Sequence, residues 1–377
     1  MNSDTNNAIE LLKQLVSIPS VFPNEAEVSA FIGAKLEGMG FRVEQVLTAG
    51  GRPNLVATFG ESPSYLGFYG HMDTVPPAKD YAANPFEVRL EGDRLSGLGV
   101  CDMKGGLSCI LTAAAWAVQE KLPLKLIFGV DEEDISQGAH DLVDSGLLSD
   151  VAYLIVAESG QVRDFEQAFS VCLGRKGRIV FEAEVAGKIA HAAEAARGIN
   201  AVEKAALLIG ALSQYQFPPH PELGRSSLVV QEISAQSDSF SVPDSCRFSF
   251  SLLSTPGLGS EDVSRIVAEM ATGLGVSVKL RTRERLTPYG EAYETDLQHP
   301  FYRLLKEQVI DPAGVTPIYT ASVADENVFA HRLRIPVLTM GLIGAGDHTA
   351  GEWASLASFG RLIEAYRQAI RLWGRVS

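Results

Sequence analysis

Apolar runs of strand length alternate with segments of helical periodicity through residues 6–158 of this 377-residue chain. Helical spacing covers residues 6–18, 26–38 and 105–119, whereas FRVEQV, NLVATF, YLGFYG, LKLIFGV and VAYLIVAE have the length and composition of strands. Strands that are apolar throughout must be covered on both faces. The alternation therefore predicts an α/β layer built on a buried sheet.

The pattern changes near residue 175. Strand-like RIVFEAEVAG is followed by a helix at 199–213, the strands SSLVVQEISA and CRFSFSLLS, a helix in GSEDVSRIVAEMATGL with Ser260 as its N-cap, and the strand VSVKLRTR. The order β-α-β-β-α-β is that of a ferredoxin-like domain. A chain of this length is also expected to form two domains. We therefore predict one domain from residues 1–174 and 285–377, interrupted by a second at 175–284.

Charge and cysteine content exclude several classes of function. The net charge of −14 argues against nucleic acid or an anionic membrane as a partner, because both require clustered Lys and Arg. Neither a secretory signal nor an apolar run of membrane-spanning length is recognisable. The cysteines form no paired motif and are expected to be reduced and buried, which predicts a cytoplasmic protein. They are Cys101, Cys109, Cys172 and Cys246.

Histidine and acidic residues cluster directly after the apolar runs, where open α/β sheets place their sites. The candidates are His71 and Asp73 in YGHMDTVPP, Asp102 in SGLGVCDMKGG, Asp131, Glu132 and Glu133 in LIFGVDEEDIS, Glu158 in YLIVAESG, and His348 in GAGDHTAGEW. A capped turn at His71 and a solvated acidic loop at 131–133 are the alternatives. Lys104 is expected to be an ordinary exposed residue at a helix start.

Adjacent carboxylates are costly unless cations hold them. Two histidines with several carboxylates, and no cysteine among them, form a nitrogen and oxygen ligand set that suits zinc, with cobalt or manganese as substitutes. The sequence therefore predicts a two-metal hydrolytic site.

These segments, in this order and together with GKIAHAAEAARGINA, resemble the co-catalytic zinc metallohydrolases. That family includes succinyl-diaminopimelate desuccinylase, acetylornithine deacetylase, aminoacylase-1 and carboxypeptidase G. The resemblance spans essentially the whole chain. It implies a catalytic domain with a mixed sheet flanked by helices, an inserted ferredoxin-like lid that mediates homodimerisation, and two zinc ions per chain.

The resemblance also assigns metal ligands. It implies that Asp102 bridges both metals, that His71 and Glu158 complete one site, and that Glu133 and His348 complete the other.

Further roles follow from the same resemblance. It implies that Glu132 is the general base, that Asp73 orients His71, and that His191 of the lid helps to bind the scissile carbonyl oxygen. The peptide bond between Asp102 and Met103 is expected to be cis.

The substrate-binding positions depart from the family pattern. Phe240 and Leu253 stand where the family usually carries the Asn and Arg that grip a substrate carboxylate, so that anion clamp is lost. Arg175 could supply another anion contact or could be a cation on the hinge surface. We expect Asp325 and Asn327 to line the substrate pocket.

The sequence thus predicts an enzyme that hydrolyses an amide bond of a small N-acyl amino acid or peptide-like substrate. A dipeptidase or carboxypeptidase is the first alternative, and a hydrolase of a carbamoyl or amidine C–N bond is the second. A metal-binding protein without catalysis is the third, and the presence of Glu132 argues against it.

Overall fold

The computed structural model describes residues 3–160, 164–236 and 240–376. The chain divides into two compact units. The first comprises Met1–Gly174, Glu294–Thr320 and Ala324–Ser377, and the second comprises Arg175–Tyr293 and Ala321–Val323. The second unit thus runs past residue 284, where the sequence pattern places its end. The assignment of one unit to catalysis and the other to a lid stays a prediction.

Helices form wherever the apolar spacing predicts them, and several shorter ones lie in loops. They are α1 Ser3–Ser17, α2 Ala26–Met39, α3 Lys104–Gln119, α4 Gln137–Asp144, α5 Ala201–Gln214, α6 Ser260–Gly273, α7 Pro300–Leu305, α8 Asp325–Arg332 and α9 Leu356–Trp373. A 3₁₀ helix spans Ala192–Arg197 and a π-helical turn spans Lys306–Ile310. Within the described ranges, no helix is both long enough and apolar enough to cross a bilayer.

The strands are short and are distributed over both units. They are β1 Arg42–Leu47, β2 Pro53–Phe59, β3 Tyr65–His71, β4 Arg89–Glu91, β5 Arg94–Ser96, β6 Leu124–Gly129, β7 Val151–Val156, β8 Ser170–Arg175, β9 Gly177–Ala186, β10 Pro219–His220, β11 Gly224–Arg225, β12 Ser227–Ser234, β13 Ser245–Ser254, β14 Ser277–Thr282, β15 Tyr293–Glu294, β16 Ile318–Thr320, β17 Val337–Gly341, β18 Gly344–Ala345 and β19 Trp353–Ser355.

A mixed sheet forms the centre of the first unit. Its strand order is β1-β2-β6-β3-β7-β17-β8-β15, with β16 paired to β8. The neighbours β6, β3, β7 and β17 run parallel, whereas β1, β2 and β8 join antiparallel. The predicted α/β class, with a mixed sheet flanked by helices, is confirmed.

Helices cover the central strands because those strands are apolar on both faces. Every residue of β3 and β6 is buried, as the uninterrupted apolar runs require. Helices α1, α3 and α9 pack together, and the ring of Phe68 on β3 meets Tyr366 on α9 edge to face at 5.0 Å. Burial of this apolar surface is the main stabilising contribution in the first unit.

The second unit has the β-α-β-β-α-β order of a ferredoxin-like domain, with strand order β12-β13-β9-β14 and all pairs antiparallel. The rings of Phe181 and Phe250 stack 5.1 Å apart within its own core. The prediction that Ser260 caps α6 is wrong. Ser260 is the first helical residue, Gly259 is the N-cap, and the Asp262 carboxylate accepts the Gly259 N–H.

Candidate metal centre

Three neighbouring parallel strands deliver side chains to one edge of the mixed sheet. Strands β6, β3 and β7 run in the same direction, so their carboxyl ends lie together. Tyr69 on β3 pairs with Val156 on β7, which brings His71 and Glu158, each two residues further on, side by side. The His71 Nε2 lies 3.2 Å from the Glu158 Oε2.

Asp102 lies between two histidines. Its Oδ1 is 3.0 Å from the Nε2 of His71, and its Oδ2 is 3.2 Å from the Nε2 of His348. The same nitrogen of His348 lies 3.0 Å from Glu133 Oε2. One carboxylate therefore faces two separate pairs of a histidine and a glutamate, His71 with Glu158 and His348 with Glu133.

The backbone explains how Asp102 reaches this position. It ends a glycine-rich turn, and helix α3 begins at Lys104, two residues later. The peptide bond between Asp102 and Met103 is cis, as the family resemblance implies. The loop that carries His348 belongs to the hairpin of β18 and β19, and β19 pairs with β5, the strand before the turn. The two segments are thus joined by a small sheet.

Asp73 connects the two histidine–glutamate pairs. Its backbone oxygen lies 3.1 Å from the Nδ1 of His71, and its Oδ2 accepts the backbone N–H of Glu133 at 3.1 Å. The second carboxylate oxygen is 3.6 Å from the same Nδ1. The orienting contact to His71 therefore comes from the backbone, while the carboxylate holds the Glu133 loop.

Arg52 holds the acidic segment at 131–133. Its guanidinium lies 2.7 Å from an oxygen of Asp131 and 3.0 Å from an oxygen of Glu25, and both carboxylates are fully buried. The second Asp131 oxygen accepts the N–H of Gln137 at the start of α4. Asp131 is thus not part of a solvated loop, and the cation that pairs with it is the guanidinium of Arg52. The sequence did not identify Arg52 because it lies far away along the chain.

The protonation pattern of the cluster follows from its contacts. Burial disfavours charged His71, but hydrogen bonds with Asp102, Asp73 and Glu158 outweigh it and raise the histidine's pKa well above the usual range. Hydrogen bonds with Asp102 and Glu133 raise the pKa of His348 to about 11. Burial opposes charge on Asp102, but hydrogen bonds from both histidines lower its pKa below the usual range.

The donor set fits divalent metal ions. The imidazole nitrogens that carry these protons are the atoms that would donate lone pairs to a metal, and metal binding to such groups displaces protons. Ligand atoms of His71, Asp102 and Glu133 all lie within 4.8 Å of one another. Imidazole nitrogens with carboxylate oxygens suit zinc and similar ions.

Glu132 lies beside this cluster with a perturbed carboxyl group. Burial raises its pKa well above the usual range. His71 opposes the shift, whereas Asp325, Glu133 and Glu158 add to it. A carboxyl group with a raised pKa is suited to exchanging protons near neutrality.

Two residues predicted to line the substrate pocket are fully buried in α8. Asp325 accepts a hydrogen bond from the hydroxyl of Tyr69, and burial raises the pKa of this aspartate to about 7. Asn327 accepts the backbone N–H of Ala324 at 3.0 Å, which caps the helix. Since both side chains are engaged inside the first unit, their contact with substrate stays a prediction.

The remaining predicted residues lie in the second unit. Arg175 is buried and donates to the hydroxyl of Ser322 at 2.5 Å, so the alternative of an exposed hinge cation is wrong. The ring of His191 is exposed, and its Nδ1 accepts the N–H of Ala193 at the start of the 3₁₀ helix. Phe240 is 85% exposed, which leaves an aromatic ring at the position where the family carries Asn.

Lys104 is buried, contrary to the prediction that it is an exposed residue. It is 1% exposed, and its ammonium group donates to the backbone oxygens of Leu15 at 3.0 Å and Ile18 at 2.8 Å. These carbonyls lie at the end of α1, where the helix leaves acceptors unpaired. Burial lowers the lysine's pKa to about 7. This contact could not be predicted from local sequence, because its partners are backbone atoms at the end of another helix.

A shared aspartate between two histidine–glutamate pairs, at the strand ends of a mixed sheet, is the arrangement of a metallohydrolase. The sequence pattern of peptidase family M20/M25/M40 matches residues 67–372. The chain belongs to this family, and it is a metallohydrolase acting on amide bonds. The predicted family resemblance is confirmed.

Relatives match along the whole length of the chain. It is similar to succinyl-diaminopimelate desuccinylase of Sulfurovum sp. (strain NBC37-1), with 28% identity over 375 residues, covering 97% of this chain and 98% of that protein. Its fold is similar to aminopeptidase PepT from Bacillus cereus ATCC 10987, with a TM-score of 0.78, 18% identity and coverage of 98% and 99%. It is also similar to the Bacillus subtilis YXEP protein, a dinuclear metal binding peptidase, with a TM-score of 0.72, 16% identity and coverage of 98% and 99%.

Proposed function

We propose that this protein is a dinuclear-metal hydrolase that cleaves the amide bond of a small N-acyl amino acid or peptide-like substrate. The position of Asp102 carries the proposal, because each of its carboxylate oxygens faces a different histidine. A carboxylate shared in this way is suited to bridging two ions. The description of the similarly folded Bacillus subtilis protein as a dinuclear metal binding peptidase supports this reading.

Each ion would have its own pair of ligands in this proposal. His71 and Glu158 would hold one ion, His348 and Glu133 would hold the other, and Asp102 would be available to both. Zinc suits these ligands best, and cobalt or manganese could replace it. Two such ions would supply Lewis acidity toward the substrate carbonyl and would lower the pKa of water at the site.

Glu132 transfers the proton that amide hydrolysis requires. Water adds its oxygen to the carbonyl carbon, the C–N bond breaks, and one proton must pass from that water to the leaving nitrogen. Glu132 accepts this proton and returns it to the amine, for which its raised pKa is favourable. Asp73 keeps His71 and Glu133 in position while this occurs.

The substrate class is inferred from the relatives and from the two positions at which the family's carboxylate-binding Asn and Arg are replaced. The relative from Sulfurovum is named as a desuccinylase of succinyl-diaminopimelate. Phe240 and Leu253 replace a polar clamp for a substrate carboxylate, so we infer that the substrate is not held through a carboxylate at these two positions. Arg175, Asp325 and Asn327 remain candidates for substrate contacts. His191 is our candidate for the carbonyl oxygen.

A homodimer formed through the second unit completes the proposal. Strand β12 is at the edge of its sheet, and two of its apolar side chains are exposed, Val229 at 62% and Ile233 at 51%. An exposed apolar edge strand readily pairs with another chain.

Metal content and hydrolysis together test the enzymatic proposal. Elemental analysis of protein purified without chelator is expected to find about two ions per chain, and fewer in His348→Ala. Metal-loaded protein should hydrolyse a member of a panel of N-acetyl amino acids, dipeptides and carbamoyl amino acids. Glu132→Gln should keep its metal while losing at least about 100-fold in rate. Full metal retention without His348, or no metal uptake, would contradict the proposal.

A further inference from the structure

Glu352 is a buried carboxylate that accepts three backbone N–H groups. It is 2% exposed and lies directly before β19, four residues after His348. One oxygen accepts the N–H of Gly99 at 2.9 Å. The other accepts the N–H groups of Cys101 at 2.8 Å and Asp102 at 3.1 Å.

The three donors belong to the turn that ends at Asp102. Because this turn precedes α3 and lies outside regular secondary structure, its N–H groups need partners that are not supplied by a helix or a sheet. Gly99 adopts a positive φ of 79°, which glycine tolerates best. All three of these N–H groups are instead accepted by the two oxygens of Glu352.

Glu352 thereby joins the two segments that carry Asp102 and His348. Ser96 pairs with Trp353 in the small sheet, which brings the two segments together. The Glu352 carboxylate also accepts the backbone N–H of Asp102 itself and so holds the backbone of that residue. The direction of the Asp102 side chain depends on that backbone. Residues outside the ligand set that orient a ligand typically affect metal affinity by about 10- to 100-fold.

We propose that Glu352 is a positioning residue that orients Asp102 between the two metal sites, so that loss of its carboxylate weakens binding at both sites. This inference rests on the proposed function for the identity of the ligands. Glutamine has the same shape, but its amide nitrogen is a donor and would face one or more of the three N–H groups.

Cobalt binding to metal-free protein tests this role without any assay of activity. Wild type and Glu352→Gln are titrated with Co²⁺, and visible absorption reports the coordination geometry while calorimetry reports the affinity. We expect at least about 10-fold weaker binding of both ions and an altered absorption spectrum in Glu352→Gln. Asp93→Asn is the matched control. The Asp93 carboxylate accepts from Ser355 and Ala357, next to the same small sheet, and its loss should leave cobalt binding unchanged.

A second variant separates positioning from folding. Glu352→Asp keeps two acceptor oxygens on a shorter side chain and should bind cobalt more tightly than Glu352→Gln. The inference is overturned if Glu352→Gln has the affinity and spectrum of wild type, or if Glu352→Asp binds no better than Glu352→Gln. Wild-type protein that takes up two cobalt ions but hydrolyses nothing in the substrate panel would refute the proposed function alone.

Discussion

Arg52 forms ion pairs with two carboxylates that are closed off from water, and its replacement by alanine would leave both without that partner. The distances from its guanidinium nitrogens are 3.0 Å to Glu25 and 2.7 Å to Asp131. The arginine side chain is 14% exposed and both carboxylates are 0% exposed. The ring of Phe22 also lies 4.5 Å from the guanidinium carbon.

Removing one partner from a buried ion pair destabilises a protein by about 3–5 kcal/mol, because the remaining charge cannot be solvated. We expect Arg52→Ala to lose a free energy of unfolding in this range. Arg52→Lys is the matched control. It keeps the charge but lacks the planar fork that reaches two carboxylates at once, so its loss should be smaller.

The effect should also depend on pH in a defined direction. Burial already raises the pKa values of Glu25 and Asp131 while Arg52 is present, and its removal would raise them further. A raised pKa in the folded state means that the folded variant binds more protons than its unfolded chain, so the variant regains stability as pH falls. The difference between wild type and Arg52→Ala should therefore shrink between about pH 8 and about pH 5.

Urea denaturation of metal-free protein, followed by far-ultraviolet circular dichroism at both pH values, measures this difference. A loss below about 1 kcal/mol, typical of exposed ion pairs, would refute the interpretation that this triad is buried and essential. A loss that grows as pH falls would refute the argument about the unpaired carboxylates.

Two further predictions concern packing and assembly. A methyl group on Gly106 would lie 2.2 Å from the backbone oxygen of Ala157, whereas one on Gly38 would meet nothing within 4 Å. Because both changes to alanine add the same helix propensity, the clash should make Gly106→Ala less stable than Gly38→Ala by about 1–3 kcal/mol in thermal unfolding. Equal unfolding midpoints for the two variants would contradict this. Light scattering should give twice the chain mass of 40.5 kDa for wild type and the mass of a single chain for Val229→Lys. Leu286→Lys, at a position that is 88% exposed, is the control and should stay dimeric. A monomeric wild type would exclude the dimer.

Local patterns were sufficient to predict much of the fold and of the candidate site. His71, Asp131 and Glu158 lie at or just after the ends of largely apolar strands of six or seven residues, and each signal lies within the run itself. Parallel strands gather their carboxyl ends, so the clustering of acidic residues after such runs indicated a common site. The family resemblance predicts five metal ligands, and the structure brings these five side chains together, although their role as ligands stays a prediction.

Contacts between distant segments could not be predicted in this way. Arg52, Lys104 and Glu352 each stabilise a loop or a helix end of the site, but their partners are backbone groups or carboxylates far along the chain. Nothing in their own neighbourhoods distinguishes them from surface residues. The N-cap of α6 was misplaced by one residue because Gly259 caps through its backbone, and Asp262 supplies the side-chain acceptor.

The inserted second unit separates the proposed ligands in time during synthesis. His71, Asp102 and Glu158 are synthesised before the insertion begins at Arg175, whereas His348 follows roughly 190 residues after Glu158. At typical elongation rates of about 5–20 residues per second, this interval lasts about 10–40 seconds. Glu352, which orients Asp102 in our proposal, is synthesised after His348, so neither metal site is complete until this interval has passed. Metal loading in the cell is therefore expected to follow synthesis of the segment that carries His348 and Glu352, rather than to occur on the nascent chain.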